Sequence, residues 1–137
     1  MRRCAENPGR ILVVDDEPGM RGLLSRVLGE AGHDVVTVES GETALVLLAR
    51  EKYDVLILDK NLPGIDGLAV LRLARSHHPA VRAIMITAYP SDDSDATARA
   101  LGVVAYIVKP FWIVALVEVV DAAVAEGRAP MACRSGA

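Results

Sequence analysis

The sequence predicts an α/β domain built on a doubly wound, five-stranded parallel sheet flanked by five helices. Short runs rich in Val, Ile and Leu recur five times, with apolar residues at helical spacing between them. Alternation of this kind implies a parallel sheet covered on both faces. The central run, Val55-Leu56-Ile57-Leu58, carries no polar residue, as expected of a strand buried on both sides. Turn residues bound the runs, as Pro63-Gly64 does after Asp59. Right-handed crossovers leave few arrangements of five such units. The order 2-1-3-4-5 sets the first and third strands side by side at the switch point, where a site forms.

Taken in order, residues 1–9 read as a lead-in ending in Pro8-Gly9, and Ile11-Leu12-Val13-Val14 is the first strand. It runs into Asp15-Asp16-Glu17, with Pro18 at a first helical position. Leu23, Leu24, Val27 and Leu28 mark the first helix, which Gly32 closes. Val35-Val36-Thr37-Val38 has a polar residue inside it and belongs towards an edge. Ser40 caps a second helix, with Ala44, Leu45, Leu47 and Leu48 inward. The third strand ends in Asp59. Leu68, Val70, Leu71 and Leu73 mark a third helix that stops before Pro79. Ala83-Ile84-Met85-Ile86 leads to Thr87, and an Ala-rich helix follows the polar run from Ser91 to about Leu101. Ala105-Tyr106-Ile107-Val108 delivers Lys109 and Pro110, and a last helix covers about 111–126. The expected domain is thus residues 10–126, with 127–137 as tail.

Composition narrows the function classes. At 137 residues, 52% apolar and 24% charged, the chain is an ordinary globular domain. A net charge of −3 gives no electrostatic case for nucleic acid binding by this domain. Arg2 and Arg3 are followed by no apolar segment, so no signal peptide is expected. The longest apolar run, residues 111–117, is far short of the roughly 20 residues of a membrane span. Cys4 and Cys133 have no metal-ligand neighbours and read as free thiols of a reducing cytoplasm. There is no internal repeat.

The residues just past the strands carry the chemistry: Asp15 and Asp16, Asp59, Thr87 and Lys109. Each has a plain explanation alone, as an acidic first helical turn, a turn Asp, a helix-start Thr or a surface Lys. In the predicted topology all of them meet at one rim. Two carboxylates about 5 Å apart repel by roughly 3 kcal/mol at an effective dielectric near 20. Such a hole either raises a carboxylate pKa or binds a cation. Oxygen ligands suit Mg²⁺, and the lack of nearby Cys or His excludes soft-metal sites. Cation, Lys109 and Thr87 together suit the oxygens of a phosphoryl group, and Asp59 suits the nucleophile that receives it.

The segments ILVVDDEP, LILDKNLPGIDG, MITAYP and YIVKPF resemble those of the receiver domain of two-component response regulators, the CheY-like family. The resemblance covers about residues 10–126, and the strand order is the one known for CheY, a flavodoxin-like fold. It implies that Asp59 is the phosphoacceptor. It implies Mg²⁺ held by Asp16, Asp59 and the backbone carbonyl of Asn61, with Asp15 acting largely through water. Lys109 would contact the phosphoryl group, and its bond to Pro110 would be cis. Thr87 and Tyr106 would be the switch pair, the hydroxyl moving onto the phosphoryl oxygens and the ring turning inward behind it. By the same resemblance, Asn61 and Tyr89 would occupy the positions that in the family influence phosphoryl lifetime. Trp112 reads as packing. The donor would be a sensor histidine kinase or a phosphotransfer protein, and the chain would catalyse only its own phosphorylation and dephosphorylation.

Two other functions are set beside this one. A degenerate receiver signals without phosphorylation, but the full set Asp15, Asp16, Asp59, Thr87 and Lys109 is present. A Mg²⁺-dependent phosphatase usually carries a D-x-D motif after its first strand, and here Asp16 is followed by Glu17-Pro18. No Gly-rich phosphate loop supports a nucleotide or flavin binder. The last helix adds a partner expectation. Around Glu118 its outer face holds Val114, Ala115, Asp121, Ala122 and Ala125, which is thin in charge for a surface helix. The fifth strand and last helix are therefore expected to form a homodimer or output surface.

Overall fold

The computed structural model describes residues 9–127. The lead-in before Gly9, both cysteines and the tail beyond Gly127 lie outside them. Five strands and five helices alternate: β1 (Arg10–Val14), α1 (Pro18–Glu30), β2 (Asp34–Val38), α2 (Gly41–Arg50), β3 (Val55–Asp59), α3 (Gly67–His77), β4 (Arg82–Thr87), α4 (Asp92–Ala100), β5 (Ala105–Val108) and α5 (Ile113–Gly127). The sheet is wholly parallel in the order β2-β1-β3-β4-β5. The predicted fold is the observed one, with β2 at one edge and β5 at the other.

Strand side chains alternate between two apolar layers, as the two-residue period requires. Leu12, Val14, Leu56, Leu58 and Met85 pack with Ala44 and Leu48 of α2 and Val70, Leu71 and Ala74 of α3. Ile11, Val13, Val55, Ile57 and Ile84 pack on the other side with Leu24 and Leu28 of α1 and Leu116 and Val120 of α5. Every residue of β3 is buried, which is why its run tolerates no polar residue before Asp59.

Local chemistry sets the helix ends. Ser40, Asp66 and Ser91 accept from the backbone N–H groups of Thr43, Ala69 and Ser94, capping α2, α3 and α4. Pro18 opens α1, which has no side-chain cap. The α3–β4 and α4–β5 connections are held by the Arg75 guanidinium. It donates to the carbonyls of Pro79, Val81, Leu101 and Gly102. His33 ties the opposite end: its Nδ1 accepts from Gly9 N–H, so Nε2 donates to Asp121 of α5 at 2.7 Å.

One expected packing residue departs from the prediction. Trp112 is 84% exposed. Its carbonyl accepts the first backbone bond of α5, from Leu116, so it flanks the helix and lies off the packed stripe. Leu23 and Leu73 are exposed because the inward stripes run through Leu24 and Leu28, and through Val70, Leu71 and Ala74. No helix among the described residues is long and apolar enough to cross a membrane.

Candidate functional site

The four strand tips meet at one rim. Asp15 follows β1, Asp59 ends β3, Thr87 ends β4 and Lys109 follows β5. Asp15, Asp16 and Asp59 each offer a carboxylate oxygen, and these oxygens lie within 4.8 Å of one another. Asp15 and Asp59 are buried, whereas Asp16 opens to solvent. Lys109 Nζ spans the pair, 3.2 Å from Asp59 Oδ2 and 3.4 Å from Asp15 Oδ2, with Glu17 at 3.9 Å. Two loop N–H groups hold the other oxygens: Glu17 donates to Asp15 Oδ1 and Asn61 to Asp59 Oδ1, both at 2.9 Å. The Lys109–Pro110 peptide is cis.

Burial pushes the Asp15 carboxyl up, and the charge of Asp59 adds to it. The Glu17 N–H and Lys109 oppose them, and the net shift is upward. For Lys109, burial pulls the ammonium down, but the hydrogen bond with Asp59 and the two carboxylate charges outweigh it and raise the pKa. One ammonium thus faces three carboxylates. The donor set is all oxygen, with one member open to water, and it fits a hard divalent cation that keeps part of its hydration shell.

A stability test follows. A carboxyl whose pKa is raised on folding contributes stability that is fully present below its unfolded pKa and is lost as pH rises through the folded value. At neutral pH ionised Asp15 therefore works against the metal-free fold. Asp15→Asn is expected to raise the metal-free melting temperature by about 2–4 °C and to shrink the rise that Mg²⁺ gives the wild type. Melts at pH 7 with EDTA and with Mg²⁺ check it, and a lower metal-free value would contradict it.

Thr87 is fully buried, and its hydroxyl faces its neighbours within the loops. It donates to Asn61 Oδ1 at 2.8 Å and accepts from Tyr89 N–H at 2.9 Å. Tyr106 stands apart from the carboxylates. It is half-buried against the α2–α3 layer, and its hydroxyl pairs with Ser94 Oγ at 2.9 Å.

Three neighbours carry no signal in the sequence. Lys60 and Ser94 join the Tyr106 contact, and Gly67 seats α3 on the end of β3. A Cβ on Gly67 would lie 2.3 Å from the Asp59 carbonyl oxygen and 2.7 Å from Lys60 Cα. Its N–H also donates to the Lys60 carbonyl. Gly67→Ala must displace backbone beside Asp59, so it is expected to cost about 1–3 kcal/mol of stability. Urea unfolding measures this, and an unchanged midpoint would contradict it. Beside Lys109, an apolar recess of about 410 Å³ is lined by Met20, Leu23, Pro110, Phe111 and Ile113.

The profile of the response regulator receiver domain family matches residues 11–121. "Response regulator protein FleR" of Pseudomonas aeruginosa is 40% identical over 111 residues, which cover 81% of this chain and 24% of that protein. "DNA-binding transcriptional regulator NtrC" of Salmonella typhimurium is 41% identical over 113 residues, 80% of this chain and 24% of that protein. The chain thus spans about a quarter of the length of these relatives. "Sporulation initiation phosphotransferase F" of Bacillus subtilis is 34% identical and is covered over 84% of its length by 76% of this chain. Among solved structures, a CheY-like receiver domain protein from Methanospirillum hungatei superposes with a TM-score of 0.85 at 26% identity, over 88% of this chain and 97% of that one. The response regulator TrrA of Thermotoga maritima, solved in complex with Mg²⁺-BeF, gives 0.76 at 41% identity, over 84% and 98%. The strand order, the shared rim of Asp15, Asp16, Asp59, Thr87 and Lys109, and these likenesses agree: the chain belongs to the response regulator receiver domain family.

Proposed function

We propose that this domain, residues 10–126, is a phosphorylation switch whose acceptor is Asp59. A carboxylate oxygen of Asp59 attacks phosphorus, forming an O–P bond as the P–N bond of a phosphohistidine, or the P–O bond of a small acyl phosphate, breaks. The leaving imidazole or acyl group keeps the bonding pair. Lys109, now shared between Asp59 and Asp15, neutralises the incoming oxygens. Asp16, Asp59 and the Asn61 carbonyl would hold Mg²⁺, with Asp15 acting through water; the ion, when bound, supplies charge neutralisation at the transferring group. The observation that carries this function is three carboxylate oxygens within 4.8 Å, with the Lys109 ammonium bound to two of those residues, Asp15 and Asp59.

Incubation with Mg²⁺ and acetyl phosphate tests it by counting label and turnover. A switch stops near one label per chain and sheds it slowly. A phosphatase releases many equivalents of phosphate, and a degenerate receiver takes none. Either outcome contradicts the proposal.

Phosphorylation adds roughly −1.5 to −2 units of charge and strong acceptors. Thr87 can exchange Asn61 for those oxygens, and Tyr106 then turns inward behind it. In the cytoplasm, the donor would be a sensor histidine kinase or a phosphotransfer protein, with the recess beside Lys109 as ground on which it can rest. The output surface is proposed along β5 and α5. There Val108 of the edge strand and Val114 of the helix are exposed, together with Val104 and Trp112, which immediately precede the two elements. Sedimentation is expected to show dimers in the phosphorylated state. A strict monomer at high concentration, with and without a phosphoryl analogue, would contradict a dimer.

A further inference from the structure

Lys60 follows the acceptor in sequence, yet its ammonium is engaged elsewhere. Nζ donates to the Tyr89 carbonyl at 2.7 Å and to Ser94 Oγ at 3.1 Å. Its backbone is fixed on both sides, with N–H on the Ile86 carbonyl and C=O on Gly67 N–H. The side chain is therefore an arm from a rigid base at the site to the β4–α4 loop and the first turn of α4. Ser94, itself buried, passes the contact on to the Tyr106 hydroxyl at 2.9 Å. Tyr89 is gripped at both ends of its backbone, its N–H by the Thr87 hydroxyl and its carbonyl by Lys60.

We propose that Lys60 is a positioning residue that latches the β4–α4 loop, and through Ser94 the Tyr106 hydroxyl, in the arrangement of the unphosphorylated protein. The latch rests on Asp59 being the acceptor. If Thr87 exchanges Asn61 for a phosphoryl oxygen, its hydroxyl moves and draws on the Tyr89 N–H it accepts from, while Lys60 holds the carbonyl of the same residue. Lys60 thus opposes the switch. A two-state element responds only to differential contacts, and this ammonium favours the resting state. Loss of the arm should make the active state easier to reach. Simple electrostatics predicts the reverse, since removing a cation near the rim weakens binding of an anion.

Calorimetric titration with beryllofluoride in saturating Mg²⁺ separates the two, the fluorines standing in for phosphoryl oxygens. Lys60→Met and Lys60→Gln are expected to bind about three- to ten-fold more tightly than the wild type. Lys60→Arg keeps the charge and the donors, and should return to within about two-fold of it. Thermal melts accompany each variant; if Lys60→Met does not melt cooperatively, Lys60→Gln carries the comparison. Equal or weaker binding by the uncharged variants overturns the latch while leaving the acceptor in place. So does loss of a cooperative melt in both, which would make Lys60 a residue of the fold. No binding by the folded wild type, with Asp59→Asn equally silent, removes the acceptor and the latch together.

Discussion

Lys109→Met is expected to slow phosphorylation by acetyl phosphate about a hundred-fold, the usual effect of removing one preorganised donor from a site of developing negative charge. The same ammonium lies 3.2 Å from Asp59 and 3.4 Å from Asp15, in a cluster whose three carboxylate oxygens fall within 4.8 Å. At that separation each like-charge pair costs about 3 kcal/mol at an effective dielectric near 20. The variant is therefore expected to melt lower than the wild type in EDTA and to recover in Mg²⁺. The rate should stay low even where stability returns. A variant that labels at the wild-type rate would show that Lys109 is only a counter-ion of the resting site.

Thr87→Ala is expected to part phosphorylation from response. The hydroxyl makes two hydrogen bonds at rest, to Asn61 and from Tyr89 N–H. Its loss from the phosphorylated state removes one hydrogen bond, worth about 0.5–1.5 kcal/mol, so labelling should fall no more than about two- to ten-fold. The response depends on it more heavily, because the new acceptors can pull on the β4–α4 loop only through that hydroxyl. In wild-type protein the Tyr106 resonances should move when Mg²⁺ and beryllofluoride are added. In Thr87→Ala they should stay near the resting position. Loss of labelling and of the Tyr106 shift in equal proportion would contradict this.

What recurs along the chain is readable from it. Each strand is an apolar run with a functional residue at its end, so Asp15, Asp59, Thr87 and Lys109 declare both the sheet and the rim. The caps at Ser40 and Ser91 are local and equally plain. Contacts between distant side chains leave no periodic trace. Nothing in the sequence pairs Thr87 with Asn61, 26 residues apart, or His33 with Asp121, 88 apart. Arg75 donates to four backbone carbonyls, which any residue supplies, so nothing in the sequence marks its role. Trp112 misleads for a different reason: its apolar ring reads as core, but the helix begins one residue later and turns the packed stripe away from it.

Intact-mass analysis of wild type and Asp59→Asn, each with Mg²⁺ and excess acetyl phosphate, bears most directly on the convergence of strand tips around one reactive carboxylate. The wild type should gain the mass of one phosphoryl group, mapped to the peptide that contains Asp59, and EDTA should prevent it. Asp59→Asn should stay at its unmodified mass. A wild type that remains unmodified, or a label that persists in Asp59→Asn, would contradict the account.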